Sequence, residues 1–216
     1  MPWERLLKGW SPRRWGDSEQ EEGSANTPLP FMGPTDTFDG PSYEAEWVES
    51  GFGSSLPTIV AGRSRHVMST EYSQTNTDNI YTFSEAQVTV EVDGSELTTP
   101  QEEIYLVLFS ADATPDEQIV LGVFNQEIYS KVGIVGSEDA AVHETYDPDV
   151  HVWWRIRESG GSVFFDYSVD GTAWVNLRSL AHNLETLDNF LIVIGAGTTS
   201  GGTGAFAYFD NLNTNP

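Results

Sequence analysis

Residues 151–169, HVWWRIRESGGSVFFDYSV, admit one good solution as a β-hairpin. Gly160 and Gly161 supply the positive backbone angles that a tight two-residue turn demands. With the turn centred on them, Val152 faces Val169, Trp154 faces Tyr167 and Ile156 faces Phe165, which makes one apolar face. On the opposite face Trp153 meets Ser168, Arg155 meets Asp166 and Arg157 meets Phe164. A slip of one residue would mix the two sets, so the side-chain pattern fixes the register. The next turn signal, Asp170-Gly171, returns the chain and places Trp174 opposite Tyr167. Trp154, Phe165, Tyr167 and Trp174 are therefore expected in the core, with Trp153, Arg155 and Arg157 on a face open to solvent or ligand.

The same kind of pattern recurs from about Thr35 onward. Apolar or alternating runs occur at SYEAEWVES, LPTIVAG, FSEAQVTVEV, EEIYLVLFS, EQIVLGVFN, EIYSKVGIVG, HVWWRIRE, SVFFDYSV, TAWVNLRSL, FLIVIGAG and AFAYFDNL. Asp93-Gly94, Gly160-Gly161 and Asp170-Gly171 punctuate several of them. No long helical period interrupts the run, and no repeat of fixed length is visible. Ten or more short strands within 216 residues predict an all-β protein, a two-sheet antiparallel sandwich or jelly roll in one domain. A hydrophobic content of 38% and an aromatic content of 12% are enough for a real core.

Charge narrows the partners. The net charge is −23, from 10 basic against 33 acidic residues, and only Lys8 and Lys131 are lysines. Such a surface repels phosphate backbones and anionic membranes, which excludes nucleic acid as a natural partner. There is no cysteine, hence no disulfide, thiolate metal site or cysteine nucleophile. No run approaches the roughly 18 apolar residues of a membrane span. The N-terminus lacks the continuous apolar stretch of a signal peptide, so synthesis as a soluble cytosolic chain is expected.

The first residues differ from the rest. MPWERLLKGWSPRRW carries one acid, Glu4, against Arg5, Lys8, Arg13 and Arg14. Trp3, Leu6, Leu7 and Trp10 form one stripe of a short helix, ended at Ser11-Pro12. A helix this short needs a surface to lie on. It is folded back on the protein's own body, or it is, as residues 1–16, a docking arm for a partner, with a membrane-surface helix third because the stripe spans barely two turns. Residues 17–34 read as an acidic linker and 35–216 as the sandwich domain.

The run YDPDVHVWWRIRESGGSVFFDYSVDGTAWVNL, Tyr146 to Leu177, with DTFDG near the front and FDNLN at the end, resembles the concanavalin A-like lectin/glucanase and laminin G-like superfamily. More narrowly it is similar to the version in minor tail and surface proteins of tailed, actinobacterial bacteriophages. That resemblance implies a jelly roll, a sugar- or cell-surface-binding role, and a calcium ion tying the first strand to the last. Asp39 and Asp210 match the positions for that Ca²⁺, which oxygen ligands would suit.

Two side-chain sets merit a functional reading. Glu91-x-Asp93-x-x-Glu96 is close to the spacing in which retaining jelly-roll β-glucanases carry their acids along one uninterrupted strand. Here, however, Asp93-Gly94 predicts a hairpin turn within the motif, with Glu96 on the returning strand roughly opposite Glu91, at an exposed tip without walls. The solvated-turn reading is preferred, and catalysis by Glu91 and Glu96 is kept as the rival. The second set is a sugar-binding face of Trp153, Arg155, Arg157 and Phe164, whose alternative is an Arg155–Asp166 pair and an Arg157–Phe164 cation–π contact on an ordinary surface. His66, His143, His151 and His182 show no metal-ligand spacing, and GAGTTSGGTG lacks the lysine of a phosphate loop.

Taken together, the sequence predicts a non-enzymatic virion protein of a tailed phage, on head or tail, made in the host cytoplasm and displayed on the virion surface. Trp3, Leu6, Leu7 and Trp10 would dock on capsid or tail subunits, and the jelly roll would face host cell-surface glycans as a homo-oligomer. The alternatives are a cellular surface lectin and a glycan hydrolase using Glu91 and Glu96.

Overall fold

The computed structural model describes residues 29–51, 56–69, 72–110, 116–198 and 203–214. The described residues form strands and no helix, and every strand pairing is antiparallel. In chain order they are β1 (Trp47–Gly51), β2 (Thr58–Val60), β3 (Arg63–Met68), β4 (Ser73–Thr77), β5 (Gln87–Asp93), β6 (Glu102–Ser110) and β7 (Glu117–Phe124). Then follow β8 (Glu127–Ile134), β9 (Asp139–Thr145), β10 (Trp153–Ser159), β11 (Ser162–Ser168), β12 (Val175–Ala181), β13 (Phe190–Thr198) and β14 (Ala205–Asp210). One sheet has the order β12-β11-β10-β5-β14-β3-β2, the other β1-β4-β13-β6-β7-β8-β9. The expected all-β two-sheet sandwich is the architecture found. The expected arm, with Trp3, Leu6, Leu7 and Trp10, lies outside the described residues.

The 151–169 hairpin has the predicted register, with Trp153 opposite Ser168, Trp154 opposite Tyr167 and Arg157 opposite Phe164. Trp154, Ile156 and Phe165 are fully buried between the sheets. Trp174 is a correction. The turn through Asp170-Gly171 pairs Tyr167 with Val175, one residue off the expected register, so Trp174 falls just before β12 and does not enter the core. It lies instead under the Arg155 guanidinium, 4.2 Å from its ring centroid.

Asp93-Gly94 is also corrected: it makes an arch between sheets where a hairpin was expected. β5 belongs to the first sheet and the next strand, β6, to the second. A Cβ on Gly94 would stand 2.6 Å from Ile104 Cδ1 and 2.7 Å from the Tyr146 hydroxyl, so the glycine is there for close packing. Glu102 ties the arch down by accepting the backbone N–H groups of Thr98 and Thr99 at 2.7 and 2.9 Å.

The strands that sequence patterning does not reveal, β3, β4 and β9, carry few apolar side chains. Ser73, Thr75 and Thr77 of β4 face inward fully buried, and the Thr77 hydroxyl accepts the Ile192 N–H at 3.1 Å. In β3, His66 is buried against Phe209, with ring centroids 5.1 Å apart. Its Nδ1 donates to the Ser73 carbonyl at 3.0 Å, which leaves Nε2 to accept from Ser64 Oγ at 2.8 Å. Burial lowers the pKa of this histidine to about 4.

The two ends of the domain are sewn together by one side chain. Asn213, 1% exposed and at φ 51°, donates to the carbonyls of Met32 (2.6 Å) and Pro34 (2.9 Å) and accepts the Thr89 N–H (3.0 Å). Residues 29–34, read from sequence as the end of the linker, run along β5: Gln87 donates to the Pro30 carbonyl and Met32 to that of Gln87. Asn213→Ala is expected to lower stability by about 2–4 kcal/mol, because it strands a buried N–H and two carbonyls. Urea denaturation of the variant beside wild type measures this; a loss below about 0.5 kcal/mol would show the clasp to be incidental.

Candidate functional site

β6 alternates strictly. Ile104, Leu106 and Leu108 point between the sheets, fully buried, while Glu103, Tyr105, Val107 and Phe109 point to the outer face of the second sheet. Cross-strand register extends that face into rows. One row runs Gln74, Gly195, Tyr105, Gly122, Tyr129, Val142; the next runs Gly197, Glu103, Phe124, Glu127, Thr145; a third runs Asn76, Val193, Val107, Val120, Lys131, Ala140.

Glycines inside strands cost stability unless something must approach closely. Here three of them lie beneath tyrosines. A Cβ on Gly195 would stand 2.5 Å from the Tyr105 hydroxyl, one on Gly197 2.3 Å from Tyr72, and one on Gly122 2.9 Å from Tyr129. The three rings thus lie close on the sheet, all but buried. Two of their hydroxyls converge on Glu103, itself 1% exposed. Tyr129 donates to its Oε1 at 2.5 Å and Tyr72 to its Oε2 at 3.3 Å, while Tyr105 donates to Gln74 at 3.3 Å. Burial, then the Glu103 charge, pushes the phenols of Tyr105 and Tyr129 well above their ordinary range.

Beside this cluster lies a cavity of about 240 Å³, lined by Glu103, Phe124, Asn125, Glu127, Tyr129, Lys131 and Val142. The Lys131 ammonium sits 5.3 Å from the Tyr129 ring centroid. The rim is a two-residue turn, Asn125-Gln126, with φ of 56° and 60°. That is the conformation the turn of a β-hairpin needs, but glutamine adopts it only at a cost in strain. The arrangement offers a carboxylate, a cation and aromatic surface around one space, a set suited to sugar hydroxyls and ring faces.

The outer face of the first sheet is different. Trp153 is 6% exposed, and Arg155 and Arg157 both donate to Asp166 Oδ2 at 2.9 Å. Arg157 also stacks on Phe164, 3.9 Å from its ring centroid. The structure therefore brings Trp153, Arg155, Arg157 and Phe164 together, with the two arginines already engaged. Glu91 and Glu96 are not brought together across a hairpin. Glu91 accepts the Asn211 side-chain amide at 2.7 Å, whereas Glu96 lies in the exposed arch and accepts the Phe206 N–H at 3.0 Å. Asp93 pairs with Arg63 at 2.9 Å.

Asp210 stands opposite Glu91 in the sheet. Burial raises its pKa to about 6, with the Glu91 and Asp39 charges adding to the rise. Among the described residues, no group of three or more histidine, cysteine, aspartate or glutamate side chains is placed to hold a metal ion.

Solved structures share this fold. A laminarinase from Flavobacterium sp. UMI-01 superposes with a TM-score of 0.61 at 9% identity, covering 86% of this chain and 98% of its own. A non-specific endo-β-1,3(4)-glucanase of family GH16 gives 0.62 at 10% identity, covering 86% and 91%. An immunostimulatory antigen and pseudo β-1,3-glucanase of Mycobacterium tuberculosis gives 0.64 at 11% identity, covering 85% and 96%. No protein-family model matches the chain, and no curated protein matches it in sequence. The chain thus shares the two-sheet β-sandwich fold of these glucanases.

These likenesses overturn the expectation of a non-enzymatic virion protein. They join the fold to glucanases and a transglycosylase, and nothing in them points to a structural phage component. The expectation went astray for a physical reason. Glu91 stands on the first sheet and Glu96 in the arch that follows it, while the buried carboxylate with a cavity beside it, Glu103, lies on the second sheet. The available signal was isolated glycines within apolar strands, at LGVF and IGAG, in a chain with tyrosines at matching depth in EEIYLVLF and EIYSK.

Gly195→Ala is expected to push Tyr105 off the sheet and cost about 1–3 kcal/mol, read from the denaturation midpoint; an unchanged midpoint would show that the tyrosine floor gives freely. Asp210 generates a pH-dependent expectation. Its folded pKa lies above the ordinary 3.8, so its contribution to stability is complete below about pH 3.8 and lost as pH rises through 6. Asp210→Asn should therefore raise the melting temperature at pH 7 and leave it unchanged at pH 3.5. A lower melting temperature at pH 7 would mean that the carboxylate is needed ionised.

Proposed function

We propose that the protein is a glycan hydrolase that lays a polysaccharide across the outer face of the second sheet, with Glu103 as the carboxylate at the reacting centre. The observation that carries this reading is Glu103 itself, buried in a floor of tyrosines at the edge of a cavity of about 240 Å³. A carboxylate taken out of water is costly to keep unless it is hydrogen-bonded, and it is seldom kept without a use. Two phenolic donors fix its oxygens in place at the edge of the cavity, as a group acting at an anomeric centre requires. Laminarinases and endo-β-1,3(4)-glucanases, whose fold this is, act on β-glucans. An uncharged glucan also suits a chain with net charge −23, which would repel polyanions.

Binding without cleavage is the second reading, and one observation favours it. The glucanase pattern places several acids along one uninterrupted strand; β6 is such a strand, but after Glu103 the same face carries Tyr105 and Val107. One of the neighbouring folds is likewise named a pseudo β-1,3-glucanase.

Reducing-end release from laminarin and mixed-linkage glucan, together with affinity electrophoresis in the same polysaccharides, separates the readings. Glu103→Gln is expected to keep binding and to lose about 100-fold or more in rate, the ordinary scale for an acid–base group. Retarded migration without turnover in the wild type would establish a binder. Neither binding nor turnover would remove the outer face of the second sheet from consideration.

A further inference from the structure

We infer that the cavity beside Glu103 is a subsite for one neutral sugar ring, and that Glu127 recognises that ring by its hydroxyls. This rests on the outer face of the second sheet being the glycan site, and goes beyond it by naming what the cavity takes and which side chain selects it. It holds whether the glycan is cut or only bound.

Three observations carry it. The first is size and lining. Pockets for drug-sized ligands run from about 300 Å³ upward, with mostly apolar walls and a few polar groups that fix orientation. This cavity, about 240 Å³, is smaller, so it suits a single ring rather than a length of chain. Phe124, Tyr129 and Val142 offer apolar surface to the C–H faces of a ring, and Glu127 and Lys131 offer polar groups to its hydroxyls. Two carboxylates, Glu103 and Glu127, against one ammonium disfavour an acidic ring.

The second is the Glu127 side chain itself. Glu103, Glu91 and Asp166 are each held by side-chain donors. Glu127 is half-buried at the cavity, and among the described residues no hydrogen bond or ion pair engages its carboxylate. Its two oxygens are acceptors, and two adjacent hydroxyls of a sugar ring are the matching donors. The third is local geometry. Glu127 stands opposite Phe124 across the Asn125-Gln126 turn, and side chains so opposed have Cβ atoms about 5 Å apart. A ring whose hydroxyls reach Glu127 therefore rests a face on Phe124. The turn is held in a strained form, with Gln126 at φ 60°, and strain of this kind gathers where a ligand is clamped.

The test uses the full chain with two probes: saturation-transfer NMR with methyl β-D-glucopyranoside, a single ring, and titration calorimetry with laminarihexaose. Glu127→Gln keeps the side-chain shape and removes an acceptor oxygen. Val142→Phe, at an exposed position of the edge strand β9, fills the cavity without touching Glu127 chemically. Wild type is expected to show transfer to the glucoside. Both variants should lose it and should bind laminarihexaose about 10-fold more weakly, the scale of one hydrogen bond to a charged group. Laminarihexaose bound by wild type without transfer to the glucoside, or an affinity equal to wild type in either variant, overturns this inference and leaves the glycan-site reading standing. Binding of neither probe by wild type removes the glycan-site reading, and this inference with it.

Discussion

The candidate site depends on the hydrogen bond from Tyr129 to Glu103, 2.5 Å long. A carboxylate that is 1% exposed would be strongly unfavourable without such donors. The donors must in turn be held at the right height. A tyrosine packed edge-up on a sheet would carry its hydroxyl away from a neighbouring strand's side chain. Over glycine the ring can lie low, and Gly122, Gly195 and Gly197 provide that room. The causal order runs from missing Cβ atoms to low-lying rings, to converging hydroxyls, to a carboxylate kept buried beside an open cavity. Each link is a local consequence of side-chain volume.

The two outer faces of the sandwich solve the same problem in opposite ways. Both bury polar side chains, with no third layer over the sheet among the described residues. On the first, the arginines satisfy the acid themselves: Arg155 and Arg157 share Asp166, and their guanidinium planes lie on Trp174 and Phe164. Arg63 and Arg65 repeat the stacking on Tyr208 and Phe206. On the second, the charged groups Glu103 and Lys131 border a space large enough for a ligand group. In a chain of net charge −23, the described arginines are concentrated where they close a surface rather than where they would attract an anion.

Much of the frame was legible in the sequence, and the 151–169 hairpin shows why. A two-glycine turn between segments with clean alternation leaves one register, and that register is the one found. Trp174 was misplaced because the turn at Asp170-Gly171 is one residue longer than the two-residue turn assumed, so that Tyr167 pairs with Val175, and turn length leaves no mark in alternation. β4, SQTNT, was invisible for another reason: its inward positions are filled by Ser73, Thr75 and Thr77, whose small side chains fit the core without contributing an apolar pattern. Asp93-Gly94 carried the right residues for a hairpin, yet the chain crosses to the other sheet there, because Gly94 is needed under Ile104 and Tyr146.

The site was less legible than the frame, since a spacing motif and a chemical site are different kinds of object. Glu91-x-Asp93-x-x-Glu96 has a glucanase-like spacing, but its members are dispersed among Asn211, Arg63 and the Phe206 backbone. In a chain with 33 acids such a coincidence is expected, because spacing alone does not say what surrounds a carboxylate. Glu103 has no motif at all. What marks it is environment contributed from β4's approach at Tyr72, from β8 at Tyr129, and from glycines on β7 and β13, all far apart in sequence. Non-local surroundings of that kind arise only once the register of the strands is known. The outward positions of an apolar strand that also carries an acid, here Glu103 in EEIYLVLFS, are therefore where a sandwich of this class should be searched first.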